Sequence, residues 1–437
     1  MSIHRVAAVL AIGLLLAFAV SGCRGVPRDA SGASASRQAS GQTPSPSSST
    51  KQLAALTETR APAWAFRDFY LPAGCSVTDN TDTLAAYEQS TWQPYPGSVI
   101  GLLDLEDGRS RTVLDRPMLS ARAFDAFTPM LSDSWLVWEE VSPGESNSPR
   151  DAEWRLYASA IERDTLRIGE PRLIDEGTTD YKLRPYYGVD GSTVYWSVTT
   201  LSSPHQEHVG TSGRVEALDL ATGAHTTLYG SGNPLLSLRV SDGHVVIVED
   251  ARVVAAPGEA TAGGATMREP PRRDRAVVID VASGAEVLRY DLPTAGPPGH
   301  FADHAEGWLA WASFSEGGGE WPDLYLRSPD GQVSLGSRNG IDPVTAGRFL
   351  AFETVAVLRR PSGLLDRRRE IWCIDLGRPA ERFRLLATSS PEEGWWQTTR
   401  AGRTHRLLVL WNDLGPWTPE PAKARTIVRA YRACADR

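Results

Sequence analysis

The sequence predicts an all-β fold, a β-propeller of six blades with seven as the alternative, preceded by a signal peptide and a flexible tether. Three observations predict it: a short strand pattern recurs six times, a second strand unit follows each copy, and no convincing helical stretch interrupts them. One such repeat cannot bury its apolar faces alone, so stacking into a closed ring is the expected solution. We assign residues 1–22 to the signal peptide, 23–60 to a lipidated cysteine and tether, and 61–437 to the propeller.

The N-terminus has the order of charge, apolar run and small residues that is typical of an export signal. Met1–Arg5 carries positive charge and Val6–Val20 is an unbroken apolar run, shorter than the roughly 20 residues of a membrane span. Val20-Ser21-Gly22-Cys23 resembles the lipobox of bacterial lipoproteins, in which the cysteine is lipidated. The resemblance implies an anchor at Cys23; the alternative is an ordinary secretory signal with an incidental cysteine.

The segment Arg24–Thr50 is rich in Ser, Gly and Pro and nearly free of aliphatic and aromatic side chains. It cannot bury enough apolar surface to offset the entropy of ordering, so it is predicted to be a flexible tether. A tether after a lipidated cysteine predicts a domain that is held outside the cytoplasm and lipid-anchored to the cell membrane.

Three cysteines follow Cys23, and disulfides are allowed outside the cytoplasm. Cys75 begins the folded region and Cys434 lies three residues from the C-terminus, so a bridge between them is predicted to join the two ends. The alternative is that all three thiols are separate. Cys373 lies in an apolar run and is predicted to be a buried free thiol.

The first repeated unit is a turn, an aliphatic run with a large side chain near its end, and then a small or polar residue. Such short runs, rich in β-branched and aromatic residues, are typical of buried strands. The large ring at a fixed strand position is predicted to pack between blades. The copies are Trp135–Glu139, Thr193–Ser197, Val245–Glu249, Trp308–Ala312, Phe349–Glu353 and Leu408–Asn412.

The second unit is an aliphatic strand that often ends in Asp, then a turn with Gly, and another strand. Its clearest copies are Val99–Asp115, Val215–Tyr229 and Ala276–Tyr290. Because it appears up to seven times, either N-terminal strands close a six-bladed ring or Ala63–Trp92 contains a seventh blade. Insertions fall between the two units, at Ser142–Glu153, Ser202–Gly213 and Ala251–Asp274. Insertions at one type of connection are expected on one face, which is then the favoured recognition surface.

This pattern of strand, Asp and turn Gly resembles the TolB-like propellers, over about Ser98–Cys434. The resemblance implies six blades, although many propellers share these loose motifs. It implies no catalytic residue.

The residue after each large side chain gives the candidate ligand-binding set. Glu139, Glu249 and Glu353 are expected at similar radius and height, where three carboxylates would attract a cation or a basic ligand. The alternative is that they are ordinary polar residues satisfied by their neighbours.

Two histidine pairs, His205 with His208 and His300 with His304, have spacings that metal ligands use, but neither has a clear third ligand nearby. We therefore predict no metal and no cofactor. A net charge of −8 argues against general nucleic-acid binding. The sequence favours a non-enzymatic scaffold that binds an envelope protein or polymer; the alternative is an envelope hydrolase or lyase acting on carbohydrate or peptide at the channel.

Overall fold

The computed structural model describes residues 51–52, 66–90, 98–119, 125–142, 152–201, 212–241, 243–251, 274–292, 302–313, 321–337, 340–359, 365–378, 384–388, 396–398, 400–401, 407–413 and 425–432. All of them belong to the compact unit Thr50–Arg437. Their regular structure is entirely β. This part of the chain contains no helix long and apolar enough to span a membrane.

Strand β1, Lys51–Gln52, pairs with blade 5 and strand β2, Phe66–Pro72, belongs to blade 7, while the strands that follow them in the chain form blades 1 to 3. Blade 1 contains β3 (Cys75–Asn80), β4 (Leu84–Ser90), β5 (Ser98–Asp104) and β6 (Ser110–Leu114). Blade 2 contains β7 (Asp125–Leu131), β8 (Trp135–Val141), β9 (Glu153–Glu162), β10 (Arg167–Ile168) and β11 (Arg172–Thr178). Blade 3 contains β12 (Tyr187–Asp190), β13 (Thr193–Thr200), β14 (Ser212–Asp219) and β15 (His225–Ser231).

Four further blades complete the series. Blade 4 contains β16 (Leu235–Ser241), β17 (His244–Asp250), β18 (Asp274–Asp280) and β19 (Glu286–Leu292). Blade 5 contains β20 (Ala302–Ala305), β21 (Trp308–Ser313), β22 (Asp323–Arg327) and β23 (Val333–Ser337). Blade 6 contains β24 (Gly340–Ala346), β25 (Phe349–Arg359), β26 (Leu365–Asp375) and β27 (Arg384–Thr388). Blade 7 combines β28 (Trp396–Thr398), β30 (Leu407–Asp413) and β31 (Arg425–Arg432) with β2, while β29 (Arg400–Ala401) pairs with β3.

Seven antiparallel sheets therefore follow one another, and each contacts the next. Blade 7 also contacts blade 1 through β3 with β30 and β31, so the ring is closed. The prediction of an all-β propeller is confirmed. Six blades carry the first repeated unit in their second strand, and the remaining one, blade 1, is the N-terminal blade that the alternative allowed.

The large side chains of the first unit lie between blades, as predicted. Trp138 and Trp311 are fully buried, Trp196 is nearly so, and Phe352 is fully buried in blade 6. Trp138 packs with Leu102 of blade 1. A fully buried large apolar side chain contributes about 2–3 kcal/mol, so these contacts hold neighbouring sheets together.

The turn between third and fourth strands explains the Asp and Gly of the second unit. In blade 3 the Asp219 carboxylate accepts hydrogen bonds from the N–H groups of Ala221 (2.8 Å) and Thr222 (3.1 Å). Gly223 donates to the Asp219 carbonyl (2.7 Å) and has φ +78°, which favours glycine. The same backbone bond joins Gly284 to Asp280 (2.8 Å).

The two ends of the strands define two faces of the ring. We call turn face the end with the tight turns, such as 132–134 and 281–285, and loop face the opposite end. The second and third strands of each blade are connected at the loop face. The predicted insertions 142–153, 202–213 and 251–274 are all connections of this kind, and nearly all of their residues lie outside the described ranges.

Both ends of the chain contribute to blade 7. Strand β2 pairs antiparallel with β31 from Phe66–Tyr431 to Pro72–Arg425. Asp68 accepts two hydrogen bonds from Arg429, at 2.7 and 2.8 Å. Thr426 Oγ1 also accepts from the Cys75 N–H (3.2 Å) and donates to the Cys75 carbonyl (3.1 Å). These contacts close the ring by joining β31 to β2 and to the start of blade 1.

The structure tests part of what was expected of the tether and of the cysteines. Lys51–Gln52, which the sequence places in the tether, pair in parallel with Ser334–Leu335 on the outer strand of blade 5. Cys75 and Cys373 are buried, as expected for Cys373. Cys23 and Cys434 lie outside the described residues, so the lipid anchor and the Cys75–Cys434 bridge stay predictions.

Candidate functional site

Glu139, Glu249 and Glu353 occupy equivalent positions on the second strands of blades 2, 4 and 6. Glu139 and Glu249 lie near the loop-face ends of β8 and β17, whereas Glu353 lies in the middle of the longer β25. The three residues pair with Phe127, Leu235 and Ile341 of the innermost strands. Their exposed fractions are 3%, 0% and 3%. The sequence therefore predicted their equivalence, and the contacts of each carboxylate decide what it can do.

Glu139 is held by an arginine from the next blade. Arg184, just before β12, donates from Nε to Oε1 (3.1 Å) and from Nη2 to Oε2 (2.7 Å). Burial raises the pKa of Glu139, and the Arg184 charge opposes this shift. The Glu139 side chain is 4% exposed and the Arg184 side chain is 43% exposed, so the carboxylate is buried while its arginine partner is partly exposed. It links blade 2 to blade 3.

Glu249 receives hydroxyl groups from blade 3 and an arginine from its own blade. Ser231 Oγ and the Tyr229 hydroxyl, both on β15, donate to Oε2 at 2.6 and 2.9 Å. Arg275, opposite Glu249 on β18, approaches Oε1 at 3.4 Å, and Arg289 lies at 3.7 Å. Burial and the Glu249 carboxylate raise the pKa of Tyr229, which keeps its hydroxyl a donor. Glu249 therefore links blades 3 and 4.

Glu353 has a different electrostatic setting. Arg369 Nη1 on β26 lies 2.8 Å from Oε1, and the negative charge of Asp342 on β24 acts against ionisation. Burial is the main cause, and together with Asp342 it raises the pKa of Glu353 to about 7 despite Arg369. Asp342 has φ +48°, at an irregularity in the innermost strand. Glu353 is thus a buried carboxyl that changes charge near neutral pH.

Each predicted glutamate already has an arginine partner, which weakens the attraction of the set for a free cation. The ligand-binding role of Glu139, Glu249 and Glu353 stays a prediction. Sequence reasoning missed an equivalent residue, Glu88 of blade 1, whose Oε2 accepts a hydrogen bond from the Thr128 N–H of blade 2 (3.1 Å). The pair Tyr87-Glu88, a large side chain followed by glutamate, was the signal available for it.

A second buried polar cluster lies near the turn face, on the innermost strands of blades 4 to 6. Asp303 on β20 accepts from Ser241 Oγ (2.7 Å) on β16 and from the Thr345 N–H (2.8 Å) on β24. Arg239 Nη1 lies 3.8 Å from Asp303 and hydrogen-bonds to the Pro343 carbonyl. One carboxylate therefore joins three consecutive blades.

This cluster contains Ser, His and Asp, but not in the order that activates a nucleophile. Ser241 Oγ lies 2.7 Å from the Asp303 carboxylate, and it also contacts the His304 backbone carbonyl (3.0 Å) and Thr345 Oγ1 (3.3 Å). In a Ser-His-Asp triad the serine contacts an imidazole that acts as its base, with the carboxylate behind that imidazole. The His304 ring instead lies against His244, at 4.7 Å between ring centroids. The hydrogen bonds of Asp303 are those of a structural link.

Of the four histidines in the two pairs proposed from sequence, the structure describes only His304. His304 lies on β20 and is 5% exposed, whereas His205, His208 and His300 lie outside the described residues. Within the described ranges no group of three or more His, Cys, Asp or Glu side chains is placed to hold a metal ion.

Comparison with known proteins adds similarity of fold. No known protein family matches the chain, and no curated protein matches it. Similar solved structures include the β-propeller domain of the Trilobed protease from Pyrococcus furiosus, with 10% identity and TM-score 0.48 over 78% of this chain and 91% of that one. TolB from Acinetobacter baumannii has 11% identity and TM-score 0.34, over 84% and 96%. An oligogalacturonate lyase in complex with manganese has 12% identity and TM-score 0.41, over 85% and 98%.

The chain is a β-propeller. It spans about half the length (49%) of the acylaminoacyl peptidase structures that it also matches. At these identities and scores, the similarities carry no argument about activity. The fold assignment comes from the seven sheets and their closure.

Proposed function

We propose that the protein is a lipid-anchored, extracytoplasmic β-propeller that acts as a binding scaffold in the cell envelope. The observation that carries this proposal is the common face of its long connections. Residues 143–151, 202–211 and 252–273 lie outside the described ranges, and each segment joins a second strand to a third strand whose facing ends are at the loop face. Long connections grouped on one side of a rigid ring are a usual recognition surface.

The rigidity of the ring supports this role. Buried charged groups are paired between blades: Glu139 with Arg184, Glu249 with Ser231, and Asp303 with Ser241 and Thr345. Glu139 and Glu249 make these links near the loop-face strand ends from which the connections leave, and Asp303 makes them near the turn face. A scaffold of this kind presents variable loops without rearranging its core.

An envelope hydrolase or lyase is the competing proposal, and Glu353 is the observation in its favour. A carboxyl with pKa about 7 suits general acid–base catalysis at neutral pH. Glu353 is only 3% exposed, however, and Arg369 lies 2.8 Å from its oxygen. The scaffold proposal therefore explains the loop face and the paired carboxylates better.

The partner test compares the two faces of the ring. Residues 252–273 are replaced by a short Gly-Ser linker, and a control carries substitutions in the exposed 281–285 turn at the turn face. After in-cell cross-linking and purification from detergent-extracted membranes, the loop variant is expected to lose partners that the control retains. Identical partners for both proteins would refute recognition through this connection, and turnover of envelope sugars or peptides that Glu353→Gln abolishes would support the enzyme.

The anchor is tested separately. Cys23→Ser is expected to move the protein from the membrane fraction to the soluble extracytoplasmic fraction, since the thiol is the lipid acceptor. Cys373→Ser is the matched control and is expected to stay with the membrane. Continued membrane retention of Cys23→Ser would refute lipid anchoring without affecting the test of the loop face.

A further inference from the structure

Two imidazole rings meet at the junction of blades 4 and 5, near the turn face. His304 lies on β20, the innermost strand of blade 5, and His244 begins β17, the second strand of blade 4. Their ring centroids are 4.7 Å apart, with an angle of 70° between the ring planes. No role described above uses either ring.

His304 has an unusual hydrogen-bonding state. Its side chain is buried, and its Nδ1 atom has no hydrogen-bond partner among the described residues. A buried polar atom without a partner costs about 1–3 kcal/mol, so native proteins usually supply a protein group, a water molecule or an ion. The position of Nδ1 therefore points to a bound species.

The imidazole of His304 is in the form that binds metal. Burial, and to a lesser degree the neighbouring His244, lowers the pKa of His304 to about 4. The ring is consequently neutral at physiological pH and has a lone pair on one nitrogen. Neutral imidazole is the ligand form for zinc, copper and nickel.

His244 brings a carboxylate to the same junction. It is half-buried and pairs in register with Asp280 on the neighbouring strand β18. Hydrogen bonds from Ser283 are the main cause that lowers the pKa of Asp280, and the charge of His244 adds to this effect. A carboxylate close to a ligating histidine is the usual outer partner that orients such a ring.

The apolar side of the junction shields the pair. Val246, next on the same face of β17, and Leu309 on β21 belong to the buried cluster between blades 4 and 5. His244 is half-buried while these side chains are fully buried, so the solvent-exposed part of the pair is the His244 ring near the turn face.

We propose that His244 and His304 form a two-nitrogen site for a divalent transition-metal ion, with water completing its coordination. The two protein ligands are imidazoles, which favours zinc, copper or nickel over calcium or magnesium. Two protein ligands make a weaker, exchangeable site rather than the four-ligand structural type. The site is independent of the scaffold role and lies at the opposite face from the long connections.

The test is a titration of the full-length protein in detergent with Zn²⁺ at pH 7.5, measured by isothermal titration calorimetry. A background variant replaces His4, His205, His208, His300 and His405 by Gln, so that histidines outside the described residues do not contribute. In this background one Zn²⁺ is expected to bind per chain. His304→Gln and His244→Gln are each expected to weaken that binding at least tenfold.

The matched control is His225→Gln, which removes an exposed imidazole that stacks on Trp196 in blade 3 and leaves the junction unchanged. It is expected to keep the Zn²⁺ affinity of the background. Equal affinity in His304→Gln, His244→Gln and the control would overturn the proposal, as would no Zn²⁺ binding in the background, which would leave water as the partner of Nδ1. Circular dichroism and thermal unfolding check each variant, and if His304→Gln fails to fold, the half-buried His244→Gln decides the result.

Discussion

Replacing Asp303 by Ala removes the carboxylate that joins the innermost strands of blades 4, 5 and 6. The side chain is 3% exposed, so water does not readily replace it. In the variant the Thr345 N–H loses its acceptor at 2.8 Å. Ser241 Oγ and Thr345 Oγ1 lie 3.3 Å apart and can still bond to each other. The His304 N–H also loses its acceptor, the Asp303 carboxylate at 2.9 Å. The loss therefore falls mainly on these two buried backbone N–H groups and on the nearby Arg239 charge.

The magnitude follows from these contacts. One buried donor without a partner costs about 1–3 kcal/mol, and hydrogen bonds to a charged acceptor are at the upper end of the usual range. With the weak Arg239 interaction at 3.8 Å, we expect Asp303→Ala to lower the free energy of unfolding by about 3–4 kcal/mol. An unfolding entropy of about 2.1 cal/mol/K per residue over roughly 380 residues converts this to a Tm decrease of about 4–5 °C.

The assay is thermal unfolding followed by circular dichroism at several heating rates, to confirm that the transition is reversible. Asp330→Ala is the matched control, since this aspartate lies in the exposed turn between β22 and β23, and its Tm should stay within about 1 °C of wild type. Asp303→Asn keeps one carbonyl oxygen but turns an NH₂ group toward a donor, so it should lie between wild type and Asp303→Ala. A Tm for Asp303→Ala equal to that of Asp330→Ala would refute the inter-blade link.

Three further results are expected. Because the pKa of Glu353 is raised from 4.5 to about 7 in the folded state, the folded protein binds more protons between these values, and its stability falls as pH rises through this window. Glu353→Gln should remove that loss, about 3 kcal/mol at most, in urea unfolding at pH 5 and pH 8. Gly223→Ala, at φ +78° with only the end of the Arg172 side chain in van der Waals contact (3.9 Å) with the added Cβ, should cost about 1–2 kcal/mol in the same assay. Gly230→Ala, in open space, should be near neutral. Asp68→Ala removes two hydrogen bonds from Arg429, in a pair whose side chains are each about one quarter exposed. It should lower the free energy of unfolding by about 1–2 kcal/mol and speed limited proteolysis. An unchanged digestion rate would contradict a role of this pair in ring closure.

Local signals predicted the repeated architecture well. Side chains alternate between the two faces of a strand, and this alternation places Trp138 and Trp311 on faces that pack against a neighbouring blade. Both side chains are fully buried. The turn that follows Asp219 needs a hydrogen-bond acceptor and a residue with positive φ, and the sequence shows both as Asp and Gly. Such features are visible because all of their partners lie within a few residues.

Blade 1 was harder to recognise because its turn has different chemistry. Thr81 Oγ1, rather than an Asp-Gly pair, accepts the Leu84 N–H at 3.1 Å and so starts β4. The large side chain of this strand is Tyr87, which packs over Gly101 on β5; a Cβ there would lie 2.0 Å from the ring. The repeat is present but uses other residues for the same geometry.

The environment of the candidate glutamates was beyond local sequence reasoning. Arg184 is 45 residues from Glu139 and belongs to the next blade, so no spacing rule connects them. The partners of Asp303 are equally distant, with Ser241 62 residues before it. Equivalent positions follow from the repeat, whereas charge compensation depends on how neighbouring sheets pack.

Because β2 and β31 pair in blade 7, the order in which the two strands are synthesised decides when the ring can close. Strand β2 leaves the ribosome early, whereas its partner β31 is the last described strand, and Asp68 and Arg429 are separated by 361 positions. Contacts of such long sequence separation form late and slowly. Until then blades 1 to 6 are expected to form an open arc whose two outermost sheets leave apolar faces uncovered, which favours aggregation. A prematurely terminated chain that lacks β31 is expected to stay in that open state and to be degraded faster than the complete molecule.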